Sequence, residues 1–300
     1  MAVSTTSGAP IYKVASIQMH PEPMKIEANF EKASRFIREA AALGATLAVL
    51  PEYHLLGWVP QDPGFKTACA DWEKYLEGYR ALAKECGINI VPGTIVELHD
   101  AGTASQRLLN VSYFITNEGK VVGKYVKKNL WGAIERDHLT SSAKDPHPVF
   151  DTPLGKVGIM ICWDIGFPEA SREMIAQGAK IIVAPAFWLL SDTTDAGRKI
   201  NPTAERTFLD AVLTARCFEN TCAIIFSNAG GPPGWDYAGG SQICVPFAGP
   251  VARLGSTEGM VVAELDMGAV EEAENCYQVR ADLARDDWYY SYRHTQNAGS

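Results

Sequence analysis

Three polar residues stand where apolar runs stop. The run Leu47-Ala48-Val49-Leu50 gives way to Pro51-Glu52. The run Val121 to Val126 gives way to Lys127-Lys128, and Gly158 to Ile161 gives way to Cys162-Trp163-Asp164. A carboxylate, an ammonium and a thiol together can cleave an acyl bond. A thiol with an ordinary pKa of about 8.5 is only slightly ionised at neutral pH, so it needs a base or a cation beside it. Glu52 can take the proton if burial raises its pKa. A lysine can stabilise the thiolate and then the oxyanion of a tetrahedral intermediate. The turn after Cys162 directs backbone N–H groups, that of Trp163 among them, toward the thiol. The run itself leaves the choice between Lys127 and Lys128 open.

Each residue also has an ordinary reading. A lone cysteine at a strand end is a small buried hydrophobe. Pro-Glu after an apolar strand is a turn. Paired lysines blunt an exposed strand edge. Meeting at one place requires that the strands share a sheet edge, because ligands gather beyond the carboxyl ends of strands.

The elements that must position them follow from periodicity. Strands are expected at Ile11–Met19, Thr46–Leu50, Ile88–Glu97, Leu109–Thr116 and Val121–Lys127, with a turn at Asn117–Lys120. A second series runs Lys156–Cys162, Ile181–Ala184, Cys222–Ser227, Ser241–Val245 and Met260–Asp266. Helices are expected at Glu27–Leu43, Asp71–Cys86, Glu169–Gln177 and Pro202–Asn220, and another from Met267. Such alternation argues an α/β or α+β fold with buried sheets.

The chain has 300 residues, of which 47% are hydrophobic, and a formal net charge of −8. That length supports a large core. The acidic balance disfavours nucleic acid or an anionic membrane as partner. No apolar run approaches the roughly 20 residues of a membrane span. The opening MAVSTTSGAP lacks the basic and apolar regions of a signal peptide. Residues 1–10 and 294–300 read as flexible tails around a single domain, 11–293. Seven cysteines without a C-x-x-C pair point to free thiols, a cytoplasmic location and no metal site. Asn110-Val111-Ser112 matches a glycosylation sequon that such a location would leave unused.

Order and surroundings then add a resemblance. Leu50-Pro51-Glu52-Tyr53, the lysine ahead of an aromatic and a Glu-Arg, and Cys162-Trp163-Asp164 with Phe167-Pro168-Glu169 and Arg172 resemble the nitrilase superfamily of carbon–nitrogen hydrolases. Arg216, Glu219-Asn220 and Asn228 resemble its later motifs. The resemblance implies a four-layer α-β-β-α sandwich, no cofactor, and a homodimer or larger homo-oligomer. It implies a catalytic set of Glu52, Lys127 and Cys162, with Glu135 eight residues beyond the lysine. It also chooses Lys127 over Lys128, whose side chain belongs on the other face of the strand. The usual Lys-x-His-Leu pattern here reads Lys127-Lys128-Asn129-Leu130, a departure at Asn129.

The implied reaction is hydrolysis of a linear amide or carbamoyl group through a thioester. A nitrilase acting on a small nitrile is the alternative within the superfamily, and Cys-Trp-Asp favours the amidase. Outside it stand a Cys–His hydrolase using His54 or His138 and a catalytically silent binding protein. Tyr53, Trp163, Phe187 and Trp188 are the expected substrate-binding residues, with Trp58 and Trp131 as further aromatic walls. Ile165-Gly166 follows the Cys-x-Asp where a carboxylate-clamping arginine would sit, which predicts neutral, apolar or aromatic amides as substrates. Arg172 is expected to face the helix side and pair with a carboxylate.

Overall fold

The computed structural model describes residues 8–288. The expected tails fall outside the described residues except for 8–10. Of those, Pro10 accepts a hydrogen bond from the Met267 N–H (3.1 Å).

The first half of the chain supplies β1 (Ile11–Gln18), β2 (Leu47–Val49), β3 (Asn89–Val91), β4 (Ile95–His99), β5 (Arg107–Ile115) and β6 (Val121–Val126). The second supplies β7 (Val149–Thr152), β8 (Gly155–Ile159), β9 (Ile181–Ala186), β10 (Ala223–Asn228), β11 (Gln242–Val245) and β12 (Gly249–Arg253). A last strand, β13 (Gly259–Asp266), returns to the first sheet and pairs antiparallel with β1 along its full length. One sheet runs β13-β1-β2-β3-β5-β4, with β6 on β5; the other runs β12-β11-β10-β9-β8-β7. Parallel pairs β1–β2–β3 and β8–β9–β10 form the two centres.

The helices are α1 (Ile26–Ala42), α2 (Phe65–Ala68), α3 (Trp72–Cys86), α4 (Gly132–His138), α5 (Pro168–Ala176), α6 (Asp195–Ile200), α7 (Ala204–Glu219), α8 (Met267–Tyr277) and α9 (Val279–Leu283). Apolar residues of α1 and α3, such as Ile37, Tyr79 and Leu82, pack with Ala15, Ile17 and Ile90 of the first sheet. Met174 of α5 and Leu213 of α7 pack with Ile182 and Ile224 of the second. Between the sheets, Val14, Val49 and Val91 share one cluster with Ile159 and Val183. The result is the expected α-β-β-α sandwich.

The sheets also join through polar contacts. Ser16 Oγ donates to the Phe226 carbonyl (2.7 Å), Ser16 and Ser227 hydroxyls meet at 2.8 Å, and Ser227 Oγ donates to the Val49 carbonyl (3.1 Å). Buried hydroxyls need such partners, and these fix the two sheets against each other beside the end of β2.

The expected strand Ile88–Glu97 is two strands, broken at Pro92-Gly93-Thr94. Gly93 has φ +59°, and a Cβ there would lie 1.8 Å from the Pro51 carbonyl oxygen. Glycine at 93 is what lets the Leu50-Pro51-Glu52 segment pass this close. The short elements α4, α6, β7 and β12 were not expected from the pattern. Among the described residues no helix is long and apolar enough to cross a membrane, and no group of three His, Cys, Asp or Glu side chains is placed to hold a metal.

Candidate active site

Glu52, Lys127 and Cys162 each lie one to three residues beyond the last residue of β2, β6 and β8 respectively. The expected strand Lys156–Cys162 therefore ends early, and Cys162 opens a single 3-10 turn, Cys162–Gly166. Its φ is +48°, in the left-handed region. A non-glycine residue held there carries strain of about 1–3 kcal/mol. The turn takes Cys162 off the line of β8 while leaving it buried at the edge of the core cluster.

The three chains meet. Lys127 is fully buried, and its Nζ donates to Glu52 Oε1 (2.8 Å) and to Glu135 Oε1 (2.7 Å). Two of the three ammonium donors are thereby committed. Glu52 is also fully buried. Besides Lys127, its Oε1 accepts from Asn110 Nδ2 (2.7 Å), and its Oε2 accepts from the Phe187 N–H (3.0 Å). Cys162 is 6% exposed and adjoins Glu52, Lys127 and the Phe187 N–H.

Electrostatics follow from this packing. Burial pushes the Glu52 carboxyl up to about 7 against the pull of Lys127, with Glu135 adding to the rise. Burial pulls the Lys127 ammonium down, but Glu52, Glu135 and Cys162 outweigh it and hold it above its ordinary value. Burial and then Glu52 push the Cys162 thiol well above its ordinary value, against Lys127. The resting pair is thus a neutral thiol beside a carboxylate that titrates near neutrality.

Glu135 sits in α4, whose entry at Gly132 has φ +59°. Besides Lys127, its Oε1 accepts the Tyr53 hydroxyl (2.6 Å), and its Oε2 accepts the Trp131 N–H (2.6 Å). Glu135 holds Lys127 and Tyr53 together.

The four aromatic residues expected to bind substrate divide. Phe187 and Trp163 are half-buried beside the centre. Phe187 turns its N–H to Glu52, a role that its aromatic ring did not suggest. Trp163 packs edge-on to Trp131 at 4.5 Å between ring centroids. Tyr53 is buried and spends its hydroxyl proton on Glu135, so toward a substrate it has only acceptor capacity left. Trp188 is 2% exposed, with its indole N–H on Glu205 (2.6 Å). It backs Trp163 at 5.7 Å and does not itself line open space.

Two further expectations are corrected. Ile165 is fully buried in the core and Gly166 makes room for the Trp163 ring, 3.3 Å from where a Cβ would stand. Ile165 is thus turned into the core, and the space at Gly166 is taken by that ring. Arg172 does turn to the helix side, but it donates to the Glu219 main-chain carbonyl (3.0 Å) and not to a carboxylate.

The histidines of the Cys–His alternative lie elsewhere. His54 is buried against the Tyr79 hydroxyl (2.6 Å), and burial lowers it to about 3. His138 meets the Ile134 carbonyl of its own helix (2.9 Å). Neither is placed against Cys162 by these contacts. Asn110 escaped sequence reasoning as a site residue; its one signal was an amide inside a strand whose neighbours are apolar.

Residues 13–275 match the family model for carbon–nitrogen hydrolase. The chain belongs to that family. It is 28% identical over 282 residues to the deaminated glutathione amidase of Bos taurus, covering 90% of this chain and 81% of the relative. It is 27% identical over 276 residues to the 2-oxoglutaramate amidase of Bacillus subtilis (strain 168), covering 92% and 98%. Among solved structures, Saccharomyces cerevisiae Nit3, a nitrilase-superfamily member, superimposes with a TM-score of 0.76 at 23% identity, covering 92% of this chain and 96% of Nit3. Glu52 and Lys127 follow strands of the first sheet and Cys162 follows a strand of the second, so the site lies where both sheets present strand ends.

Proposed function

We propose that this carbon–nitrogen hydrolase cleaves a linear amide or carbamoyl group through a thioester on Cys162. The observation that carries the proposal is the buried Glu52 carboxylate, held by the Lys127 ammonium (2.8 Å), Asn110 (2.7 Å) and the Phe187 N–H (3.0 Å) beside the Cys162 thiol. Amidase relatives matching nine-tenths of the chain support the amide as substrate class.

Glu52 accepts the thiol proton as sulfur attacks the carbonyl carbon. The third Lys127 donor and the Trp163 N–H bind the oxyanion, a contribution worth roughly 10²–10³ in rate per donor. Collapse breaks the C–N bond, and Glu52 returns the proton to the leaving nitrogen. Ammonia or an amine departs. Glu52 then activates water, which releases the acid and restores the thiol. Glu135 keeps Lys127 charged and in place, and no cofactor takes part in a step.

Intact-mass measurement after exposure to amides, ureas and nitriles tests this. An acyl adduct on Cys162, accumulating most with amides, is the expected result. Turnover by Cys162→Ala, or adducts elsewhere, would overturn it.

A further inference from the structure

Asn110 enters the sequence as the first residue of a sequon, Asn110-Val111-Ser112. In the folded chain it is 1% exposed and lies inside β5, closed to any modifying enzyme. Its contacts give it other work. Nδ2 donates to Glu52 Oε1 at 2.7 Å, and the Asn110 main-chain carbonyl accepts the Lys127 N–H at 2.9 Å. One residue therefore grips both the carboxylate and the backbone of the lysine that pairs with it.

The two oxygens of Glu52 are unequally occupied. Each carboxylate oxygen offers two lone-pair sites. Oε1 accepts from Asn110 Nδ2 and from Lys127 Nζ (2.8 Å), which fills both. Oε2 accepts the Phe187 N–H (3.0 Å), which leaves one open.

We infer that Asn110 is the positioning residue of the general base: it closes Oε1, so that the thiol proton is received and released at Oε2. The inference rests on the general-base role proposed for Glu52. Its balance is simple. The S–H bond breaks and an O–H bond forms at Oε2, while sulfur bonds to carbon and the carbonyl pair moves to oxygen. On collapse that pair returns, the C–N bond breaks, and the Oε2 proton goes to nitrogen.

The amide can face Glu52 in one sense only. Reversed, Oδ1 would oppose an acceptor with an acceptor. Oδ1 has no hydrogen-bond partner among the described residues. A buried polar atom left so is unfavourable, and an apolar residue of similar size would not carry it. What the amide supplies in return is the donor. The titratable groups around Glu52 are Lys127, Glu135, Cys162 and Tyr53. Asn110 adds to them a donor that never changes charge.

The test uses iodoacetamide, which alkylates Cys162 without need of the natural substrate. Alkylation of Cys162 is followed by peptide mass against pH in the wild type, Asn110→Leu, Asn110→Ser and Glu52→Gln. Losing a donor to the ionised carboxylate raises its pKa. The acid limb of the profile should therefore move up by about one unit in both Asn110 variants, with alkylation at pH 6 slowed about tenfold. The serine variant decides the matter if the leucine variant does not fold, as checked by thermal melting. An unmoved limb, or slowing that is equal at every pH, would overturn the inference. Faster alkylation would also overturn it, because Asn110 would then be obstructing the receiving oxygen. Wild-type alkylation in Glu52→Gln would instead overturn the general-base role itself.

Discussion

Asn129 holds Asp164 twice: its main-chain N–H and its side-chain Nδ2 both donate to Asp164 Oδ1, at 2.9 and 2.8 Å. The other oxygen, Oδ2, accepts the Tyr125 hydroxyl (2.7 Å) and the Ile161 N–H (2.9 Å). Asp164 is fully buried, and all four lone-pair sites are filled. This carboxylate is a strut between the segment after β6, which carries Lys127, and the turn that carries Cys162. The departure from histidine at position 129 thus leaves a donor in place, one that does not titrate.

The first prediction concerns that strut. Asp164→Ala leaves four donors without their acceptor, at about 1–3 kcal/mol for each that water cannot reach. Unfolding free energy should fall by at least about 3 kcal/mol, and kcat should drop more than KM rises, because the thiol and the ammonium lose their common anchor. Denaturant unfolding and steady-state kinetics check this together. A variant that keeps both stability and kcat would show that the turn holds its shape without Asp164.

The second prediction separates the two lysines. Lys127→Ala removes the proposed oxyanion donor, worth roughly 10²–10³ in kcat, and leaves Glu52 and Glu135 without the ammonium that pairs with both. Lys128 is turned away, with Nζ on the main-chain carbonyls of Ser142 (2.9 Å) and Asp145. Lys128→Ala should alter kcat less than threefold and show its effect in thermal stability. Equal losses of kcat in the two variants would contradict the assignment.

The third prediction is a pH dependence. As the proposed general base Glu52 must be ionised to accept a proton, so kcat/KM should climb through about pH 7 and level off above it. Stability runs the other way for this group. Its folded pKa of about 7 exceeds the ordinary 4.5, so the unfolded chain releases the proton first as pH rises. Between about pH 4.5 and 7 Glu52 therefore lowers stability, and it adds no further change above that window. Lys127, held above its ordinary value, contributes stability that persists until pH rises through its folded pKa. Cys162→Ala and Glu52→Gln, compared with the wild type by melting across pH 4–8, isolate the Glu52 part. If the melting temperature of Glu52→Gln falls with pH as the wild type's does, the slope belongs to other groups.

The main strands were legible because apolar runs of four to nine residues stop at glycine, proline or charge. The meeting of Glu52, Lys127 and Cys162 was legible because they stand at those stops. The helix α4 was not, since Gly132–His138 carries a single large apolar residue, Ile134, and that residue is exposed. Bonds that Glu135 accepts from Lys127 and Tyr53, and from the Trp131 N–H at the helix's own N-cap, position it, and periodicity contains no trace of the first two. Asn110 failed for a related reason. A polar residue within a strand reads as the solvent face, but β5 is buried along most of its length. The edge strands β7 and β12 are short, β7 mostly half-buried and β12 mostly exposed, so no alternation announces them.

The last prediction concerns substrate charge. A carboxylate-bearing amide needs a cation to receive it, most naturally an arginine fork. Four basic side chains of the segments around the centre are engaged elsewhere. Lys127 serves two carboxylates, Lys128 and Arg172 serve main-chain carbonyls, and Arg206 donates to the carbonyls of Ala238 and Leu254. The loop that follows Phe187 is instead acidic. The Trp188 indole holds Glu205, the Leu189 N–H holds Asp192 and the Ser191 N–H holds Asp236. Burial pushes Asp192 up to about 7, and Glu205, Asp236 and Glu135 add to the rise, so these carboxylates act on one another. A substrate carboxylate brought to this loop meets repulsion without a partner. Neutral amides with apolar or aromatic acyl groups should therefore show higher kcat/KM than analogues with a terminal carboxylate, by about tenfold or more, equivalent to about 1.4 kcal/mol. Glu205→Gln should narrow the gap by weakening that repulsion, provided folding is intact by thermal melting. Matched pairs of neutral and acidic amides, measured at pH 8 where Asp192 is mostly ionised, provide the comparison. A tenfold preference for the acid would require a cation at the mouth of the site that these contacts do not supply.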